Sequence, residues 1–337
     1  MLVILFHVRK LYPRNIVEKS IRGEDVERIP VIPLIGVHSA YLFNVDCIKA
    51  FTDSKLMSRI QVDMVKYYKP DGVFPFMNLT LEAEALGLNI RYIDCYPSLT
   101  EKLNNIDEID KRELNIDVFK GYINVIEEIY SMIGDRFFIC SYITGPFTLG
   151  YQLFNGLQFF KYMFNSKYSM ENVLEKIYGK LSILLEMILR TRADLIMVLE
   201  PILIYLSPQR FEKYCFNILS DIFKKISLSN KYSALHICGN NAHLLKSINN
   251  LDVNVVQIDS PVDISYARRI LPEKCLIGNI DTRLLKNGSP RSIVENVKKC
   301  LEKAGETFFI LSSGCEVPRT ASSRNILSMI RAARGEI

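Results

Sequence analysis

The chain has 337 residues, 49% of them hydrophobic and 23% charged, and 42 basic against 37 acidic side chains give a formal charge of +5. That apolar content excludes a disordered chain, which could not bury enough surface to offset its ordering entropy. So small a charge, spread along the sequence with no dense basic stripe, is too weak to argue for nucleic acid as a partner, and none is expected.

A membrane-spanning helix needs about 18 consecutive apolar residues. Met1–Phe6 is too short, and Leu195–Leu206 is interrupted by Glu200 and Pro201, so no membrane segment is expected. The opening MLVILFH lacks a basic stretch before it and a small-residue cleavage site after it. It therefore reads as a local flap or extended start, with residues 1–25 as an N-terminal extension, and not as a secretory signal. Eight cysteines without framework spacing, in a chain with no export signal, predict a cytoplasmic protein whose thiols are free or metal-bound.

Short β-branched or aromatic runs alternate with longer helical patterns. The runs are Ile29–Ile35, Gly72–Phe76, Arg136–Ile143, Asp194–Pro201, Ser233–Cys238, Val253–Asp259, Cys275–Ile280 and Phe308–Cys315. Helical periodicity covers Val45–Tyr68, Val118–Met132, Met170–Arg190, Pro208–Ile226, Ala242–Ile248, Ile264–Leu271, Ser289–Lys303 and Ser322–Ala333. Ser207-Pro208 and Ser289-Pro290 pair an N-cap with proline at the first helical position, where the missing N–H is harmless. No linker rich in Gly, Pro or Ser divides the chain. Eight alternating units predict an α/β fold, a (β/α)8 TIM barrel forming a single domain over residues 1–337. Residues 78–117 and 144–168 exceed a minimal unit and predict insertions after strands two and three, the first a hairpin or loop covering the barrel mouth.

Active sites of such barrels lie at the carboxyl ends of the strands. The polar residues there are Glu200, His236, Cys238, Asp259, Asn279, Asp281, Cys315 and Glu316. Residues i and i+2 of a strand share a face, so His236 and Cys238 aim an imidazole and a thiolate at one point. Cys315, in a Ser-Ser-Gly-Cys turn after the last strand, supplies a third soft ligand. Three protein ligands with one open position is the catalytic zinc arrangement. The bland alternative makes each cysteine a small buried hydrophobe. Cys47, Cys95, Cys140, Cys215, Cys275 and Cys300 are assigned that way, as core or surface residues. Glu200, a carboxylate ending an apolar strand, needs a partner. It is a metal ligand, a proton acceptor or the partner of a structural arginine. Asp259 and Asp281 stand beside turn residues, where capping competes with catalysis. His38 and His243 read as structural. No Gly-x-Gly-x-x-Gly, Walker loop or Gly-x-Ser-x-Gly supports nucleotide binding or serine hydrolysis.

HICGN at 236–240, GNID at 278–281, and SSGCEVP at 312–318 followed by RNILSMIRAAR at 324–334 resemble the uroporphyrinogen decarboxylase superfamily. RIPVIPLIG at 28–36, EAEALG at 82–87, TGPFTL at 144–149 and ADLIMVLEP at 193–201 resemble its corrinoid-dependent branch, the methylcobamide:coenzyme M methyltransferases. The Arg-rich N-terminal motif of the decarboxylase proper is missing. The resemblance implies Zn2+ held by His236, Cys238 and Cys315, with Glu200 as a catalytic group. It further implies a methyl group carried on a corrinoid of a separate small corrinoid protein and transferred to a small thiol, coenzyme M. Gly145, Asp259 and Asn279 are the candidate cofactor contacts. The competing readings are a lyase acting on a carboxylated tetrapyrrole, a non-enzymatic corrinoid-binding partner, and a methyltransferase whose acceptor is homocysteine or a folate.

Overall fold

The computed structural model describes residues 12–165 and 168–337; the opening MLVILFH lies outside the described residues. Seven parallel strands form one sheet in the order β1 (Gly72–Val73), β4 (Phe138–Thr144), β5 (Leu195–Leu199), β6 (Tyr232–His236), β7 (Val255–Ile258), β8 (Cys275–Ile280) and β9 (Phe309–Ser313). A separate antiparallel hairpin pairs β2 (Ile90–Ile93) with β3 (Tyr96–Leu99). Helices connect successive parallel strands, as crossover connections require.

The run Ile29–Ile35, expected as a full strand, makes only one ladder bridge, between Val31 and Leu311 of β9. Pro30 and Pro33 explain this, because proline has no N–H to give to a ladder. The segment still closes the ring. On one side Ile32 N donates to Leu311 O and Leu311 N to Pro30 O, both at 2.9 Å. On the other, Asp71 N donates to Val31 O at 2.8 Å, next to β1. The fold is therefore TIM-barrel-like, with seven regular strands and an eighth, proline-interrupted seam.

Strand parity sorts the core into two layers. Phe138, Cys140 and Tyr142 of β4, Leu195, Met197 and Leu199 of β5, Ala234 of β6, Val255 of β7, and Cys275 and Ile277 of β8 fill the barrel interior. The alternate residues meet the surrounding helices. Helix Pro13–Ile21 closes the base: Val17 and Ile21 join the interior cluster, and Ser20 Oγ donates to Phe309 O at 2.6 Å. Arg14 anchors that helix through its 2.5 Å ion pair with Asp194, just before β5. Pro208–Ile226, expected as one helix, is two, Pro208–Tyr214 and Phe216–Leu228, broken at Cys215. No helix among the described residues is long and apolar enough to cross a membrane.

Cys47 and Cys95 correct the expectation of unpaired thiols. The hairpin folds back over the start of helix Cys47–Thr52, bringing their Cα atoms to 5.6 Å, and the two are joined by a disulfide. No local spacing announces a bond between residues 48 apart. A loop of that length is worth about 4 kcal/mol in the chain-entropy treatment. Non-reducing peptide mapping is therefore expected to recover Cys47 linked to Cys95 while the other six cysteines alkylate. Adding a reductant should lower the urea midpoint; eight freely alkylating thiols would contradict the pairing.

Candidate functional site

The carboxyl end of β6 delivers His236 and the following Cys238 to the mouth, and the turn after β9 delivers Cys315. Cys238 Sγ lies 3.4 Å from Cys315 Sγ, and Cys315 Sγ lies 3.9 Å from His236 Nε2. One ligand atom from each residue falls within 4.8 Å of the others, and no other such group of metal-binding side chains occurs among the described residues. His236 is buried, while the two thiols are half-buried and so reachable from the mouth.

The two sulfurs share a proton. Hydrogen bonding from Cys315, reinforced by His236, pulls the Cys238 thiol well below its ordinary range. The Cys238 thiolate in turn pushes the Cys315 thiol up, helped by burial. Deprotonated sulfur is the ligand form, so one ligand is ready before any cation arrives. One imidazole and two thiolates, close enough for a single ion to touch all three, match the donor preferences of zinc and not those of magnesium or calcium.

Asp259 stands beside the cluster. Its Oδ2 accepts from Gly239 N at 2.7 Å and lies 3.5 Å from Cys238 Sγ. Gly239 has φ +83°, a left-handed conformation that glycine adopts without penalty, and this turns the chain immediately after Cys238. A Cβ there would also approach Ile204 Cδ1 to 2.7 Å.

The structure does not bring Glu200, Gly145 or Asn279 into the cluster. Glu200 is fully buried and accepts from Phe147 N at 3.0 Å and Thr148 N at 2.8 Å. It caps helix Pro146–Leu153, where otherwise unpaired N–H groups favour a carboxylate. Gly145 leaves room for it, since a Cβ at that position would sit 2.3 Å from the carboxyl carbon. Asn279 turns outward, donating from Nδ2 to Val262 O at 2.8 Å and accepting from Cys300 Sγ at 3.4 Å. Asp281 caps helix Thr282–Asn287 through Arg283 N. His38 bonds Arg319 O and Tyr68 Oη, and His243 bonds Leu206 O, both as structural side chains.

Tyr142 and Tyr96 were not singled out in the sequence. Tyr142 projects inward from β4, stacked on Phe74 at 4.6 Å, with its hydroxyl feeling Glu316 and Cys315. Tyr96 reaches the same neighbourhood from the hairpin; burial pushes its phenol up to about 12, with Glu316 and Cys315 adding to the rise. Glu316 is half-buried, and desolvation pushes its carboxyl up to about 8. Strand parity could have found Tyr142, because it shares the inward face of Cys140. Tyr96 carries no such signal, since its position depends on how the hairpin folds back.

The model of the uroporphyrinogen decarboxylase (URO-D) family matches residues 13–335. The chain belongs to that family. It is 26% identical over 335 residues to the methylcobamide:CoM methyltransferase MtbA of Methanosarcina acetivorans, covering 96% of this chain and 97% of the relative. It is 23% identical over 272 residues to the uroporphyrinogen decarboxylase of Picrophilus torridus, covering 78% of this chain and 79% of that protein. A solved methyltransferase from Methanosarcina mazei superposes with a TM-score of 0.85 at 19% identity, covering 97% of this chain and 99% of that one. That superposition bears out the barrel expected from strand–helix alternation.

Proposed function

We propose that this URO-D family member is a methyltransferase that moves a methyl group from a methylated corrinoid, carried on a separate small protein, to the thiol of coenzyme M. The observation that carries the reading is the convergence of His236, Cys238 and Cys315 at the barrel mouth. Full-length similarity to methylcobamide:CoM methyltransferases supports the donor and acceptor. His236 Nε2, Cys238 Sγ and Cys315 Sγ would hold Zn2+; when bound, the ion supplies a Lewis acid that keeps an incoming thiol in its nucleophilic thiolate form.

The net change balances simply. The acceptor's sulfur forms a bond to the methyl carbon, the cobalt–carbon bond breaks with its electron pair left on cobalt, and the thiol proton is released. The residues around the cluster prepare that exchange. Hydrogen bonds from Cys315 and His236 favour the thiolate form of Cys238. Asp259 fixes the turn that carries Cys238 by accepting from Gly239 N. Tyr142 and the half-buried Glu316 lie near Cys315 and interact with each other electrostatically. Glu200 acts at one remove, through the N-terminus of helix Pro146–Leu153.

The test combines zinc-loaded protein with methylcobalamin and one acceptor at a time: coenzyme M, homocysteine or tetrahydrofolate. Loss of methylcobalamin absorbance with formation of methyl-coenzyme M is the expected result. Transfer only to homocysteine or tetrahydrofolate would replace the acceptor. Decarboxylation of uroporphyrinogen with no methyl transfer would overturn the reading in favour of the lyase.

A further inference from the structure

We propose that Gln257 is a positioning residue of the metal centre: its Oε1 is the acceptor available to take the Nδ1–H of His236 when a cation binds, holding the imidazole in the tautomer that leaves Nε2 for the metal. The inference rests on the metal reading of the cluster and deepens it.

A neutral imidazole carries one proton, and the nitrogen that binds a metal must be the bare one. In His236 the nitrogen facing the cluster is Nε2, 3.9 Å from Cys315 Sγ. The proton then belongs on Nδ1. That atom is buried and has no hydrogen-bond partner. Leaving a buried N–H without an acceptor is unfavourable and would weaken every binding event. Metal-ligating histidines usually meet this need by donating their second nitrogen to a nearby oxygen.

Gln257 supplies the matching half. It is the register partner of His236 across the β6–β7 ladder, and it is fully buried. Both side chains share the inward parity of Ala234 and Val255, which belong to the interior cluster. Neighbouring strands are about 4.8 Å apart, so in-register inward side chains stand side by side. The orientation of the carboxamide is also fixed. Gln257 Nε2 donates to Ser313 O and Gly314 O, each at 3.3 Å, and both of those atoms can only accept. The other end must therefore be Oε1, and it too is buried without a partner. A donor lacking an acceptor and an acceptor lacking a donor thus occupy paired positions on adjacent strands. Asn241 Oδ1 is also buried and unpartnered. Its Nδ2, however, is tied to Ile237 O, and Asn241 is not a register partner of His236.

One side chain would then serve two ligands. From Nε2 it holds the Ser313–Gly314 carbonyls that precede Cys315, and from Oε1 it orients His236. Replacing it should disturb the imidazole's proton as well as the affinity for metal, which a purely space-filling residue would not do.

The experiment uses the full chain with selectively 15N-labelled histidine, loaded with zinc, and the near-isosteric variant Gln257→Met. In the unmodified protein, zinc should produce a His236 resonance pattern with metal-bound Nε2 and a slowly exchanging Nδ1 proton. In Gln257→Met that proton should exchange rapidly, and chelator competition should show zinc held about 10–100-fold more weakly. Gln257→Glu, which keeps an acceptor in place, should retain the slow proton and covers the case in which the methionine variant fails to fold. An unchanged slow Nδ1 proton in Gln257→Met would overturn the assignment while leaving the metal centre intact. Failure of the unmodified chain to bind zinc would overturn both.

Discussion

Cys315→Ala is expected to bind zinc about 100- to 1,000-fold more weakly than the unmodified chain, and to lose methyl transfer to a thiol. The estimate divides the roughly 10–16 kcal/mol of a four-ligand zinc site evenly among its ligands. Chelator competition measures the affinity, and methyl-coenzyme M formation measures the transfer. A second readout needs no metal. Cys315 is the largest cause of the low Cys238 value, through the bond between sulfurs 3.4 Å apart. Removing it should raise the pKa of Cys238, so that Cys238 in the metal-free variant alkylates more slowly with iodoacetamide near pH 6.5. Retained stoichiometric zinc at unchanged affinity would remove Cys315 from the centre.

The stability of the metal-free protein is expected to fall as pH rises from 5 to 8, in part through Glu82 and Glu200, with Glu316 adding to the decline. Glu82 and Glu200 are fully enclosed, and burial pushes each from an ordinary 4.5 to about 7. A folded-state value above the unfolded one means that the folded chain binds more protons between the two. The contribution is complete below about 4.5 and is lost as pH rises through about 7. A difference of that size corresponds to about 3 kcal/mol for each group. Glu82 has one oxygen on Thr144 N at 2.9 Å and the other without a partner, so its ionised form is poorly accommodated. Urea melts across this range should show the decline in the unmodified chain and a flatter profile in the Glu82→Gln, Glu200→Gln double variant. Equal slopes in the two proteins would remove these carboxyls as the cause.

The alternation of runs and helices was enough to read the barrel, because parallel pairing through crossovers leaves a two-period pattern in the chain. It overstated Ile29–Ile35, where β-branched composition outweighed the two prolines that limit the segment to a single bridge. The convergence of His236 and Cys238 was legible because it follows from strand parity alone. Cys315 required only that strand ends share one mouth. Glu200 was legible as a buried carboxylate in need of partners, but those partners are amides in the first turn of the helix after a neighbouring strand, more than fifty residues away. Asn279 shows the converse: a polar residue at a strand end looks like a mouth residue until its outer-layer partners Val262 and Cys300 are known. The Cys47–Cys95 bond and the placement of Tyr96 depend on how an inserted hairpin folds back, which no local periodicity encodes.

Helix Pro13–Ile21 seals the amino-terminal end of the barrel with Val17, Ile21 and the Ser20 bond to Phe309. On the proposed function, both reactants would then arrive through the opposite end, and they differ greatly in bulk. A protein presenting a corrinoid would obstruct that doorway, and a thiol arriving afterwards would have no route past it. The shape thus favours a compulsory order in which the small acceptor is seated first and the large donor docks second. If the proposed function holds, the methylated product would leave after the donor protein has departed.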